Sequence, residues 1–185
     1  MSDNESHSGL ERLAGLLNDS RCTPEQACGE VARTFAVRKD EVALLLLEQS
    51  SLRFVYPLEL KGSGQIPLSS SGVAPRTARS RKAELFNDFT RERHHFVFEL
   101  VRLNHPEGSN ESLPKTIQKL ISAPLIGSKG RVLGVVQISR KGDSPRAAGA
   151  NFSKDDLKLL ERVAAQLAAF VEKSFPQAHP GSTLS

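Results

Sequence analysis

Two extended apolar runs, IQKLISAPLI and RVLGVVQISR, stand on either side of GSKG at residues 127–130. Strands joined by so short a loop return antiparallel, because a parallel crossover needs about a dozen residues or more. This feature alone commits the chain to an antiparallel sheet. It also raises a chemical question, since Gly, Ser and Lys between apolar runs is also the composition of a phosphate-cradling loop. The pattern GxxxxGK[ST] requires a helix directly after the loop, whose aligned N–H groups hold the phosphate. Here Lys129 is followed by Gly130 and then by a strand. GSKG therefore reads as a turn, with Gly127 and Gly130 tolerating positive φ.

The strand after the turn is the more informative one. Val132, Gly134, Val136 and Ile138 fall on one face, while Leu133 and Val135 give way to Gln137 and Ser139 on the other. The first face is core. The second turns polar at its end, as the wall of a ligand pocket does, or as a strand does where it emerges into solvent.

NFSKDDLKLLERVAAQLAAFVEKSF predicts a long helix. Ser153 is its N-cap, Asp156 the capping-box partner, and Phe152 with Leu157 a hydrophobic staple. Leu157, Leu160, Val163, Ala164, Leu167 and Val171 share a face. Leu159 and Phe170 extend the apolar surface beyond it, an excess suited to a bundle with a second copy, so a homodimer is expected.

At the other end, GLERLAGLLNDS spaces Leu10, Leu13, Leu16 and Leu17 helically, and Thr23, Pro24 and Gln26 open a second helix to about Ala36. These are N-terminal helices over 9–36, with residues 1–8 and 176–185 read as disordered ends. VALLLL and LRFVYPLEL read as a strand pair, with Pro57 near an edge or an end. Ser71 is expected to cap a short helix through GVAPRTARSRK, AELFNDF to form a brief strand, and HHFVFELVRL fits a helix or a strand. The fold class that follows is α+β: an antiparallel sheet with terminal helices on one face and loops over the other.

A chain of 185 residues with 38% hydrophobic and 25% charged residues suits one globular domain. Its net charge of +4 is short of what a dedicated nucleic-acid binder carries, so nucleic acid is not expected as a partner. No apolar run reaches the roughly 18 residues of a membrane span, and MSDNESHSG lacks the plan of a secretion signal. A cytoplasmic protein without membrane contact is expected. Cys22 and Cys28, in CTPEQAC, form neither a CxxC redox pair nor part of a larger metal set, and read as reduced thiols.

APLI with Pro124 and Leu125, then VLGVVQI with Gly134, then NFSKDDLKLL resemble the closing elements of a GAF domain. The resemblance spans about residues 25–175, read as a stand-alone module. It implies a sheet of about six antiparallel strands, terminal helices behind it and a small-molecule pocket in front. Cyclic-nucleotide-binding members often carry an Asn-Lys pair, a later Phe and then Asp-Glu. Lys141, Phe152 and Asp156 match that set, whereas Arg140 and Leu157 depart from it, so Lys141 and Asp156 read as a structural ion pair. Other members reduce free methionine sulfoxide or attach a bilin through pocket cysteines. Cys22 and Cys28 precede the first strand, the wrong region for either.

The pocket wall implied by the resemblance comprises Phe86, Asn87, Phe89 and His94, with Gln137 and Ser139 from the polar strand end. His95 and Glu99 would share a helical face, but two ligands do not close a zinc site, so no metal is assigned. Arg76 and Arg79, with Lys82 nearby, could grip an anion or simply form a solvated helix face. The expectation is a non-enzymatic sensory module that binds an unidentified small molecule and signals through its terminal helices to a protein partner. The alternative is an interaction or dimerisation module with a vestigial pocket. No cofactor is assigned.

Overall fold

Two helices, α1 (Asp3–Asn18) and α2 (Pro24–Thr34), precede β1 (Val42–Glu48), β2 (Ser51–Tyr56) and β3 (Gln65–Pro67) in the computed structural model, which describes residues 3–89 and 115–175. Then come α3 (Val73–Ser80), β4 (Glu84–Phe86), β5 (Ile117–Ile126), β6 (Val132–Lys141) and α4 (Lys154–Ser174). The strands form one six-stranded sheet in the order β3-β2-β1-β6-β5-β4, every neighbour antiparallel. The first strand and the last thus sit side by side at the centre. The α+β expectation is met, with α1, α2 and α4 on one face and α3 on the other.

The helix ends follow their caps. Thr23 Oγ1 accepts from Gln26 N at 3.2 Å while Gln26 Oε1 accepts from Thr23 N at 2.9 Å, so both halves of the capping box are present. The same reciprocity holds between Ser153 and Asp156 at 3.0 and 2.7 Å. α2 ends at Thr34, short of Ala36, because Ala36 has a φ of 49°. α3 takes Gly72 as its N-cap with no side-chain bond, so Ser71 does not cap it.

Three further expectations are corrected. Residues 3–8 are helical, not a disordered end, and their polar turn continues into a helix anchored by buried Leu10 and Leu13. Arg12 donates to Ser8 Oγ at 2.6 Å and to buried Glu30 of α2 at 2.7 Å, tying the turn to its neighbour. The packing of α1 on α2 is close, since a Cβ on Gly9 would lie 2.7 Å from Thr34 Cγ2.

The second correction concerns the apolar excess of α4. Leu159 and Phe170 are both buried inside the chain, in the same core as Leu160, Val163 and Leu167. α1 covers part of that face, and Gln166 Nε2 reaches Leu10 O at 3.3 Å. Among the described residues Leu58 is the one large hydrophobic side chain left exposed. The surface that argued for a homodimer is therefore covered by the chain's own helices.

The third lies in β6. Leu125 pairs with Gly134 and Ile126 with Val132, so Leu133 has no partner on β5. This irregularity turns Leu133 into the helix-side core with Val136 and Ile138, while Val132 joins Val135 on the opposite face. The strict alternation read from the sequence holds only beyond Gly134.

GSKG is a turn. Gly130 N donates to Gly127 O at 2.9 Å, and Gly127 N to Arg131 O at 2.8 Å. Gly130 takes a φ of 72°, but Gly127 is not in the positive-φ region. Crowding constrains Gly127 instead, as its Cβ would lie 2.8 Å from Glu172 Oε1. Ser128 donates through N and Oγ to the Glu172 carboxylate, at 3.1 and 3.0 Å to its two oxygens. The turn does hold an anion, supplied by α4 itself.

Candidate ligand pocket

Between α3 and the sheet lies a cavity of about 90 Å³. Leu45, Phe54, Ile66, Val73, Ala74 and Phe89 give it an apolar wall, and Gln137, Ser139, Lys141, Asp40 and Glu41 gather at one end. An apolar hollow with a few converging polar groups is the usual form of a small-molecule site, though drug-sized ligands need about 300 Å³ or more. The hollow is too small for a nucleotide.

The polar end is built from the turn before β1 and the end of β6, which the pairing of Val42 with Ile138 brings together. Ser139 Oγ donates to Glu41 O at 3.1 Å. Glu41 accepts from Lys141 N at 2.6 Å and Arg38 N at 2.9 Å. Lys141 Nζ donates to Asp40 O at 2.6 Å and to Asp40 Oδ2 at 3.0 Å. Burial pushes the Asp40 carboxyl up, but Arg38 and Lys141 outweigh it and hold the group below its ordinary value.

A folded pKa below the unfolded one means that the Asp40 charge stabilises the fold at pH values above about 4 and that this contribution is lost as the pH falls through the lowered value. Asp40→Asn is therefore expected to flatten the acid limb of the stability–pH curve while leaving its alkaline side unchanged. Urea midpoints from pH 2 to 7 would check this, and parallel curves for the two proteins would contradict it.

Gln137 joins a second polar system. Its Nε2 donates to Ser122 Oγ at 3.2 Å, Ser122 Oγ and Thr77 Oγ1 are 2.9 Å apart, and Thr77 Oγ1 donates to Glu84 Oε2 at 3.0 Å. Arg76 then meets the Glu84 carboxylate at 2.9 Å. Thr77 has one proton, which the carboxylate takes, so Ser122 must supply the proton between the two hydroxyls. The relay thus points one way, from Gln137 to Glu84.

A model of the GAF domain matches residues 23–172 of this sequence. The chain belongs to the GAF family. No curated protein sequence matches it. Among solved structures, the GAF domain of an Acinetobacter phosphoenolpyruvate-protein phosphotransferase superposes with a TM-score of 0.68 at 16% identity, covering 98% of this chain and 100% of that one. Free methionine-R-sulfoxide reductase from Neisseria meningitidis, in complex with its substrate, gives 0.60 at 19% identity, covering 94% and 93%. A putative GAF sensor protein from Burkholderia vietnamiensis gives 0.55 at 16%, covering 95% and 93%. The solved structures that share this fold thus include both an enzyme and a protein described as a sensor, and the likeness is one of fold.

Of the residues expected in the GAF pocket, Phe89, Gln137 and Ser139 line the cavity. Phe86 stands behind Phe89, edge to face at 6.3 Å, with the Arg76 guanidinium 5.0 Å from its ring centre. Asn87 serves the backbone instead. Its Nδ2 donates to Phe152 O and its Oδ1 accepts from Phe152 N, both at 2.9 Å, which fixes the chain entering α4. His94, His95 and Glu99 lie outside the described residues.

The expected Lys141–Asp156 ion pair is replaced by Lys141–Asp40, because Asp156 is engaged in its own cap and β1 brings Asp40 beside Lys141. Phe152 packs in the helix-side core under Arg140, 4.9 Å from ring centre to guanidinium. The residues that matched the cyclic-nucleotide set therefore do three separate jobs. Arg79 donates to the carbonyls of Leu68 and Ser70, fastening the loop before α3. Sequence reasoning missed Asp40, Glu41 and the Thr77–Ser122 pair, whose roles depend on which strands become neighbours.

Proposed function

We propose that this GAF domain is a non-enzymatic sensory module that takes a small molecule between α3 and the sheet and signals through its terminal helices to a protein partner. The observation that carries this reading is the cavity itself. Phe54 and Phe89 line it without filling it, and its polar end converges on the strand beside β1. The mechanism would be differential affinity for two arrangements of α4, which packs on the reverse of β5 and β6, and of α1, which packs on α2 and α4.

The placement of sulfur supports a binding rather than a reducing role. The chain has two cysteines, and both belong to the helix side of the sheet, away from the cavity. Burial pushes the Cys28 thiol far up, and burial followed by the Asp19 charge raises that of Cys22. Thiolate is the reactive form, so neither site favours attack at neutral pH. Native protein is expected to label slowly at Cys22 and not at Cys28 with a maleimide, and at both in denaturant. Rapid labelling of Cys28 in the native state would contradict the packing of α2.

The test is a thermal-shift screen of the full chain against amino acids, short acids, amides, alcohols, nucleotides and divalent metals. A ligand at about 100 times its Kd adds about 2.7 kcal/mol, which raises Tm by a few degrees. A hit that Leu45→Phe abolishes by filling the cavity supports the sensory reading. Silence across the panel favours the interaction module with a vestigial pocket. Turnover of methionine sulfoxide that vanishes when both cysteines become serine would overturn the non-enzymatic reading.

A further inference from the structure

The hydrogen bonds around Gln137 limit what the cavity can select. A primary amide looks similar from either side, and only its partners decide which end faces where. Here the decision is made at a distance. The Thr77 proton is committed to the Glu84 carboxylate, which Arg76 holds in place, so Ser122 donates to Thr77 and has only lone pairs left for Gln137. Gln137 must therefore turn its NH2 toward Ser122, as it does at 3.2 Å. Its carbonyl oxygen is left without a hydrogen bond from any described residue.

The other groups at that end are similarly disposed. The Ser139 proton goes to Glu41 O, which leaves that hydroxyl as an acceptor. Lys141 is engaged by Asp40, and Glu41 by two backbone N–H groups. Among the described lining residues every cation is thus matched by a carboxylate, while Gln137 and Ser139 both offer unfilled lone pairs. Among the described lining residues, an anionic head would meet these acceptors and the two carboxylates with no unmatched cation to hold it.

We propose that Gln137 is the residue that reads the ligand's head, and that the Ser122–Thr77–Glu84 relay makes it select an uncharged hydrogen-bond donor on a compact apolar body. The class is a short branched alcohol or primary amide. This rests on the reading of the cavity as a ligand site and assigns its chemistry. About 90 Å³ is room for a body of about four heavy atoms, given that a hollow of about 150 Å³ takes benzene. Thr77 and Ser122, both fully buried, are positioning residues that act through Gln137.

The experiment compares three probes with the same branched four-carbon body: isobutyramide, isobutanol and isobutyrate. Binding to the full chain is followed at neutral pH by chemical-shift titration. The amide and the alcohol are expected to bind about tenfold or more tightly than the carboxylate, since an acceptor facing acceptors leaves polar groups unpaired. Gln137→Leu should erase that ranking. Thr77→Val, which keeps the Gln137 side chain but removes the relay that orients it, should narrow the ranking while the protein stays folded. Equal binding of all three probes to the native chain, or a ranking that survives Gln137→Leu, overturns the assignment while leaving the cavity a ligand site. Absence of any shift at cavity residues with all three overturns the cavity reading and this assignment with it.

Discussion

Gly134→Ala is expected to destabilise the chain by about 3 kcal/mol or more, a large part of the roughly 5–15 kcal/mol that holds a domain folded. Gly134 lies on β6 opposite Leu46 of β1 and Leu125 of β5, at the centre of the sheet. A Cβ there would stand 2.1 Å from the Leu45 carbonyl oxygen and 3.1 Å from Leu46 Cα. Both are backbone atoms, so no side-chain rotation relieves the overlap. The strands would have to separate, and the hydrogen bonds between the first strand and the last would go with them. Urea unfolding should show a lower midpoint at an unchanged slope. Gly62→Ala, where a Cβ meets nothing within 4 Å, is the matched control and should be near neutral. A loss below about 1 kcal/mol at Gly134 would mean that the central strands do not approach so closely.

Leu160→Ala should cost about 3–5 kcal/mol, by lost burial and by the cavity left behind. Leu160 is 0% exposed and sits on the face of α4 that packs against the sheet beside Val163 and Leu167. Its neighbours come from strands and helices fixed in place, so the site cannot readily collapse. Leu157, three residues earlier and only half-buried, should cost less than half as much when cut to alanine. Comparable losses at both positions would place the face of α4 wrongly.

The secondary structure was legible wherever a pattern repeats over a few residues. The capping boxes at Thr23 and Ser153, the stripe of α4 and the β5–β6 hairpin all formed as their spacing predicts. The same local patterns carried the family resemblance. The places where reading failed share one cause. Leu133 shifted faces because the two strands pair with an extra residue on one side, which an alternation count along one strand cannot detect. Leu159 and Phe170 looked like surplus because the breadth of the face that α1 and the sheet would cover was not visible from α4 alone.

The site was harder to read because its contacts are remote in sequence. Asn87 meets Phe152 across 65 residues, and Thr77 meets Ser122 across 45. Lys141 chose Asp40, 101 residues away, over the nearer Asp156. Periodicity and capping are set by backbone geometry within one or two turns, so the sequence by itself determined the helices, the hairpin and the antiparallel sheet. The pairing of β1 with β6 decided which charges and amides came together at the end of the cavity. That choice belongs to the tertiary structure, because a side chain's partner is fixed by the packing of whole elements, which no short window of sequence contains.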